Sequence, residues 1–158
     1  MNIFKRIFRI GQAEIHSVVE KMEDPIKMTE QGIREMRDDL NQSLEAYAKV
    51  KAMAIRSQNN VEKKKLEATD YERKAILLLE KANRNEISID QAENLAKEAL
   101  SLKNQLLEEI TELENQVIIH EKSANEIHKN VEILKFSVNT WQNELTTLKD
   151  RKKIAKEK

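Results

Sequence analysis

The sequence predicts an all-α fold, an N-terminal amphipathic helix followed by a long antiparallel two-helix coiled-coil hairpin, and three observations lead there. The 158 residues include two Gly and one Pro, too few turn formers to connect many short elements. Apolar residues make up 39% of the chain but are spread thinly at heptad spacing, which favours burial in a narrow seam over a deep globular core. Charge also alternates in sign along the chain, in an order that only a fold-back makes complementary.

The leading element is residues 1–22. On a wheel of 100° per residue, Ile3, Phe4, Ile7, Phe8, Ile10, Ile15, Val18, Val19 and Met22 share one half of the circumference, while Lys5, Arg6 and Arg9 cluster opposite. No acidic residue precedes Glu14, so the polar side of the first turns is purely cationic. Such a basic amphipathic helix suits an anionic bilayer surface, with Phe and Ile sinking to the acyl boundary and each cation contributing about 1 kcal/mol. Membrane contact is therefore expected from Ile3, Phe4, Lys5, Arg6, Ile7, Phe8, Arg9, Ile15, Val18 and Val19. The competing reading is that this helix folds back onto the hairpin as ordinary core. Gly11 near the centre of the apolar arc lowers helicity by about 1 kcal/mol relative to Ala, which suits a helix completed on lipid.

Asp24 before Pro25 places a capping residue ahead of a proline at the first helical position, so a helix is expected over 25–82. Its seven-residue ladder runs Ile26, Ile33, Leu40, Tyr47, Ala54, Val61, Ala68, Ala75 and Ala82, with Met36, Val50, Tyr71 and Leu78 at intervening positions. Thr29, Ser43, Ser57 and Lys64 fill the other seam positions and leave it imperfect, a reason to expect neighbouring chains. Turn and capping residues Asn83, Asn85, Ser88 and Asp90 mark a hairpin tip at 83–90, with Ser88 to Gln91 and Asp90 to Glu93 both at capping-box spacing. A second helix is expected over 90–155, its seam running Leu95, Ala99, Leu102, Leu106, Ile110, Leu113, Val117, His120, Ala124, Ile127, Val131, Leu134, Val138, Trp141, Leu145 and Leu148. Two steps of four in succession, Leu102 to Leu106 to Ile110, predict an 11-residue stutter and locally straighter helices.

Charge sets the pairing direction. Residues 23–48 hold three basic and seven acidic side chains and residues 49–81 hold nine and five. Residues 91–123 hold three and seven, and residues 124–158 hold eight and five. Only an antiparallel arrangement sets opposite signs together in both halves, selecting a geometry more than stabilising one, since each exposed pair contributes about 0–1 kcal/mol.

Other chemistry is sparse. There is no Cys, hence no thiolate nucleophile and no disulfide framework, and a reducing, cytoplasmic setting is the default. Nowhere do about 18 consecutive apolar residues occur, so membrane contact is expected to be peripheral. A formal net charge of zero gives no reason to expect nucleic acid as a partner. His120 and His128 are eight apart and lack the Glu-x-x-His spacing of a di-iron bundle, and no phosphate loop, zinc motif or nucleophile elbow occurs. No catalytic residue, cofactor or metal is expected. The basic tail from Lys149 to Lys158 reads first as a solvated helix end and second as a headgroup contact, and Phe136, off the seam, is a candidate for an interchain contact.

Met1-Asn2-Ile3-Phe4 with the basic amphipathic start, Glu23-Asp24-Pro25, Gln31-Gly32-Ile33-Arg34-Glu35-Met36, and Ala92-Glu93-Asn94-Leu95-Ala96-Lys97-Glu98-Ala99-Leu100 together resemble the phage-shock protein A family. That family includes the vesicle-inducing plastid proteins and is grouped with the ESCRT-III superfamily. The resemblance covers essentially the whole chain. It implies a peripheral protein of the bacterial inner membrane that assembles into rings, rods or helical polymers, binds anionic or stressed membrane through its first helix, and supports envelope integrity. It also implies, for some members, restraint of an enhancer-binding transcription activator through the hairpin. Family members usually continue with further helices, whereas this sequence ends at Lys158, so a short form or a trimmed chain is expected. Three function classes follow: a membrane scaffold on the cytoplasmic face of the plasma membrane, a regulatory adaptor whose hairpin binds a soluble protein, and a plain coiled-coil spacer.

Overall fold

The computed structural model describes residues 15–157. Three helices follow one another: α1 (Ile15–Glu20), α2 (Pro25–Asn83) and α3 (Ile89–Glu157). The two long helices are the expected hairpin, each bound within one residue or two of the expected position. The chain divides into two compact units, one formed by residues up to Lys49 with those from Ala124 onward, the other by Val50–Ser123.

The Val50–Ser123 unit contains the tip, whose chemistry is local. Asn85 takes a left-handed conformation, φ 60°. Around it, the Glu86 N–H donates to the Lys81 carbonyl (3.0 Å) and the Asn85 N–H to the Ala82 carbonyl (3.1 Å). That pair of bonds closes α2 in a Schellman motif with Asn in the position glycine usually takes. Two residues later Ser88 caps α3: its Oγ accepts from the Gln91 N–H at 3.2 Å while its carbonyl accepts from Ala92 at 3.0 Å. Of the two capping boxes legible in the sequence, the chain uses the Ser88 one, and α3 therefore begins at Ile89.

Along this unit the helices meet through small side chains. Ala54, Ser57, Val61, Ala68 and Ala75 are buried on α2, and Ala92, Ala96, Ala99, Ile110 and Val117 on α3. Opposite charges flank the seam as expected, with Lys64 Nζ 2.6 Å from Glu109 Oε2 and Lys65 Nζ 3.7 Å from Glu114 Oε1. The hydrogen bond to Glu109 outweighs desolvation and holds the Lys64 ammonium above its usual pKa. Partner numbers fall on α3 as they rise on α2, from Lys64 with Glu109 to Glu72 with Lys103, so the pairing is antiparallel.

One part of the expected seam is corrected. Leu95 and Leu102 are 41% and 37% exposed, while Ala92 and Ala96 are buried and Lys103 lies half-buried, reaching Glu72 at 3.5 Å. The buried stripe of α3 thus steps through Ala92, Ala96, Ala99, Lys103, Leu106 and Ile110 and continues in unbroken steps of four and three to Leu148. No 11-residue stutter exists. A reading that favours bulk slid onto the leucines; the seam here favours alanine, with one lysine lying along it by its methylene stem. Leu113, Val117 and Val61 occupy the seam as expected.

The other unit is built around larger side chains. Ile15, Val19, Ile33, Met36, Val138, Trp141 and Leu145 form one buried cluster, with Val18, Met22, Ile26 and Leu148 packed against it. Val131 and Leu134 are buried, and Leu40, Tyr47 and Ile127 are half-buried at seam positions. The seam residues Ser43 and Tyr47 meet partners on the flank of α3: Asn130 Nδ2 donates to Ser43 Oγ at 3.3 Å, and the rings of Tyr47 and His128 tilt together with centroids 5.6 Å apart. Lys149 reaches Glu30 at 3.3 Å, matching the basic end of α3 to the acidic start of α2.

Urea unfolding separates the corrected seam from the expected one: Ile110→Ala should cost about 2–4 kcal/mol, whereas Leu102→Ala should cost no more than about 1 kcal/mol. At the tip, Asn85→Ala should lower stability by about 1 kcal/mol and Asn85→Gly should leave it equal or slightly higher, read by thermal melts of both variants.

Candidate membrane interface

α1 spans only six residues, too short to be stable alone, so its helicity depends on what it packs against. Ile15 and Val19, four apart and on one face, are 2% and 8% exposed. They belong to the cluster that contains Trp141, itself fully buried. On the flank, His16 Nδ1 lies 3.8 Å from Glu144 Oε1, a contact that becomes an ion pair when the imidazole is protonated. The Glu144 carboxylate is mostly buried, and its Oε1, like Glu35 Oε2, has no hydrogen-bond partner among the described residues.

Past α1 the chain tightens and turns. The Lys21 and Met22 N–H groups bond three residues back, to Val18 and Val19, and Met22 Sδ accepts from the buried Thr29 hydroxyl at 4.0 Å. Asp24 then caps α2, its Oδ1 accepting from the Lys27 N–H at 3.3 Å and its carbonyl from Met28 at 3.0 Å. With Pro25 fixing the first helical φ, the Glu23-Asp24-Pro25 junction has one geometry. It sets where the leading segment joins the hairpin.

Of the residues expected at a membrane, Ile3, Phe4, Lys5, Arg6, Ile7, Phe8 and Arg9 lie outside the described residues. Ile15, Val18 and Val19 are described. Ile15 and Val19 are buried against α2 and α3, with Val18 half-buried beside them, so in this conformation protein occupies their apolar face. Residues 15–22 thus pack on the hairpin in this structure. A helical wheel reports that a face is apolar without reporting whether lipid or protein covers it. The sequence also gave no sign of the buried Ser137 and Glu144, which fall outside the apolar periodicity. Trp141, the chain's one tryptophan, reports on this docking directly. Ile15→Asp should expel α1 and leave the hairpin folded, shifting Trp141 emission to the red and raising its quenching by acrylamide, while Ile15→Leu should change neither.

Three comparisons bear on the whole chain. The membrane-associated protein Vipp1 of Synechocystis is 28% identical over 156 residues, covering 99% of this chain and 55% of that protein. The chloroplastic membrane-associated protein VIPP1 of Arabidopsis thaliana is 27% identical over 156 residues, covering 99% and 44%. The phage shock protein A homolog of Deinococcus radiodurans is 25% identical over 155 residues, covering 98% and 66%. The chain spans about half the length of the curated relatives it matches most fully. The model of the PspA/IM30 family matches residues 2–158, from before the amphipathic start to the end of the sequence, and the chain belongs to that family.

Proposed function

We propose that this chain is a peripheral membrane-binding, self-assembling scaffold that remodels or protects the bacterial inner membrane from its cytoplasmic face under envelope stress. The observation that carries the reading is the direct joining, in sequence, of a basic amphipathic segment, residues 2–14, to a short helix docked on α2 and α3. That arrangement gives a lipid-seeking segment a fixed point of attachment. Among the described residues no helix is long and apolar enough to cross a membrane, which fits attachment at the surface. The relatives named membrane-associated support it independently. Self-assembly is supported by large apolar side chains facing outward, among them Leu66 at 69% exposure and Ile118 at 64%. Many weakly binding segments held on one assembly bind together through effective concentration.

An adaptor reading keeps one specific observation in its favour. In the Val50–Ser123 unit, Tyr71, Leu77, Leu78, Leu95 and Leu102 line an apolar groove of about 370 Å³ edged by Lys74, Lys81 and Glu98. A partner's amphipathic helix would fit such a groove. The two readings separate on lipid. Co-sedimentation should show the intact chain binding anionic vesicles, more weakly as salt rises, and the Phe4→Glu, Phe8→Glu double variant remaining in solution with its hairpin helicity unchanged. If both stay in solution, the adaptor reading replaces the scaffold.

A further inference from the structure

Four lysines, Lys149, Lys152, Lys153 and Lys156, line one groove of about 360 Å³ together with Ile26. Their spacing of i, i+3, i+4 and i+7 puts them on a single face of α3, with Asp150 and Arg151 off it. The rhythm of the seam explains why that face is there. After Leu145 and Leu148 the next seam position is Lys152, yet α2 starts at Pro25, so the stripe that was apolar turns basic where its partner helix begins. Cations near a helix C-terminus are ordinary; four of them around one concavity are not explained by the helix dipole, which acts only over the last turn.

Compensation is incomplete. Among the described residues, Lys149 alone of the four has an acidic partner, Glu30 at 3.3 Å. Glu23 and Asp24 line an adjoining hollow with Lys152, and Asp24 is already engaged in capping α2. Lys153 and Lys156 face no carboxylate in the groove. A lysine head is a compact charge that suits a phosphate oxygen, while its stem and Ile26 offer apolar walls.

We propose that this groove is a second membrane contact, a site for the phosphate of an anionic phospholipid headgroup. The inference rests on the membrane reading above and deepens it. The membrane reading selects lipid over free phosphate, and the groove lies where α2 begins, since it includes Ile26, two residues past the Asp24 cap. Membrane attachment is thus divided between the amphipathic start of the sequence and a basic clamp where α2 begins.

The test uses the full chain and vesicles of phosphatidylcholine with or without phosphatidylglycerol. Lys152→Gln, Lys153→Gln, Lys156→Gln should require at least about tenfold more phosphatidylglycerol vesicles for half-binding, since each lysine near an anionic surface contributes about fivefold. A control that removes the same charge elsewhere, Lys51→Gln, Lys63→Gln, Lys122→Gln, should bind like the parent. Equal loss in both triple variants, with the parent binding, would overturn the groove and leave the membrane reading standing; a parent that binds no vesicle would end both. A third arm titrates inorganic phosphate against matched chloride and follows the lysine side-chain resonances. If phosphate moves Lys152, Lys153 and Lys156 while the groove variant still binds vesicles normally, the occupant is the free anion and the lipid assignment falls.

Discussion

The interaction on which the rest of the structure depends is the close meeting of two long helices through small side chains. Interaxial distance follows the size of the residues at the contact, and in the Val50–Ser123 unit those residues are mostly alanine and serine. Small seam residues bury little area each, so cohesion comes from length and from an unbroken four-three rhythm that keeps every turn in register. They also dictate what happens outside. With alanine at many of the contacts, few bulky residues of either helix have an inward position, and Leu66, Leu77, Ile118 and Ile119 stand more than half exposed. Exposed bulk is a consequence of the seam's geometry as much as a separate provision for partners.

In the other unit the same two helices solve a different problem. Trp141, Met36, Ile33 and Leu134 replace alanine, and the larger side chains create an apolar surface broad enough to take a third element. Ile15 and Val19 fill it. A six-residue helix is held there by the surface the hairpin supplies, and Ile15 and Val19 in turn help to enclose Trp141. Order in the chain just ahead of Pro25 is therefore borrowed from packing.

Much of this was legible in the sequence because coiled-coil geometry converts spacing into structure with little ambiguity. Every position of the α2 ladder from Ile26 to Ala82 is at least half-buried, and the polar interruptions Thr29, Ser43 and Ser57 stay in the seam. The alternating charge blocks gave the pairing direction, and Lys64 with Glu109 and Lys149 with Glu30 follow it. One reading failed: Leu102 was preferred to Lys103, because hydrophobicity identifies a side chain that seeks cover without naming what covers it. By the same limit, Ile15 and Val19 were legible as apolar without a sign that protein packs on them here. The basic groove was hidden for the opposite reason: a run of lysines at a chain's end says nothing of concavity until the start of α2 is placed beside it.

Alanine at the contact also limits how this protein can change over evolutionary time. Enlarging Ala75, Ala96 or Ala99 would force the helices apart and strain the nearby contact between Glu72 and Lys103. Trimming them to glycine would loosen both helices. The interior is thus nearly closed to improvement in either direction, and variants that withdraw more apolar area from water can arise only on the outward faces. Selection for a sturdier chain and selection for a different surface must in that unit act on the same residues.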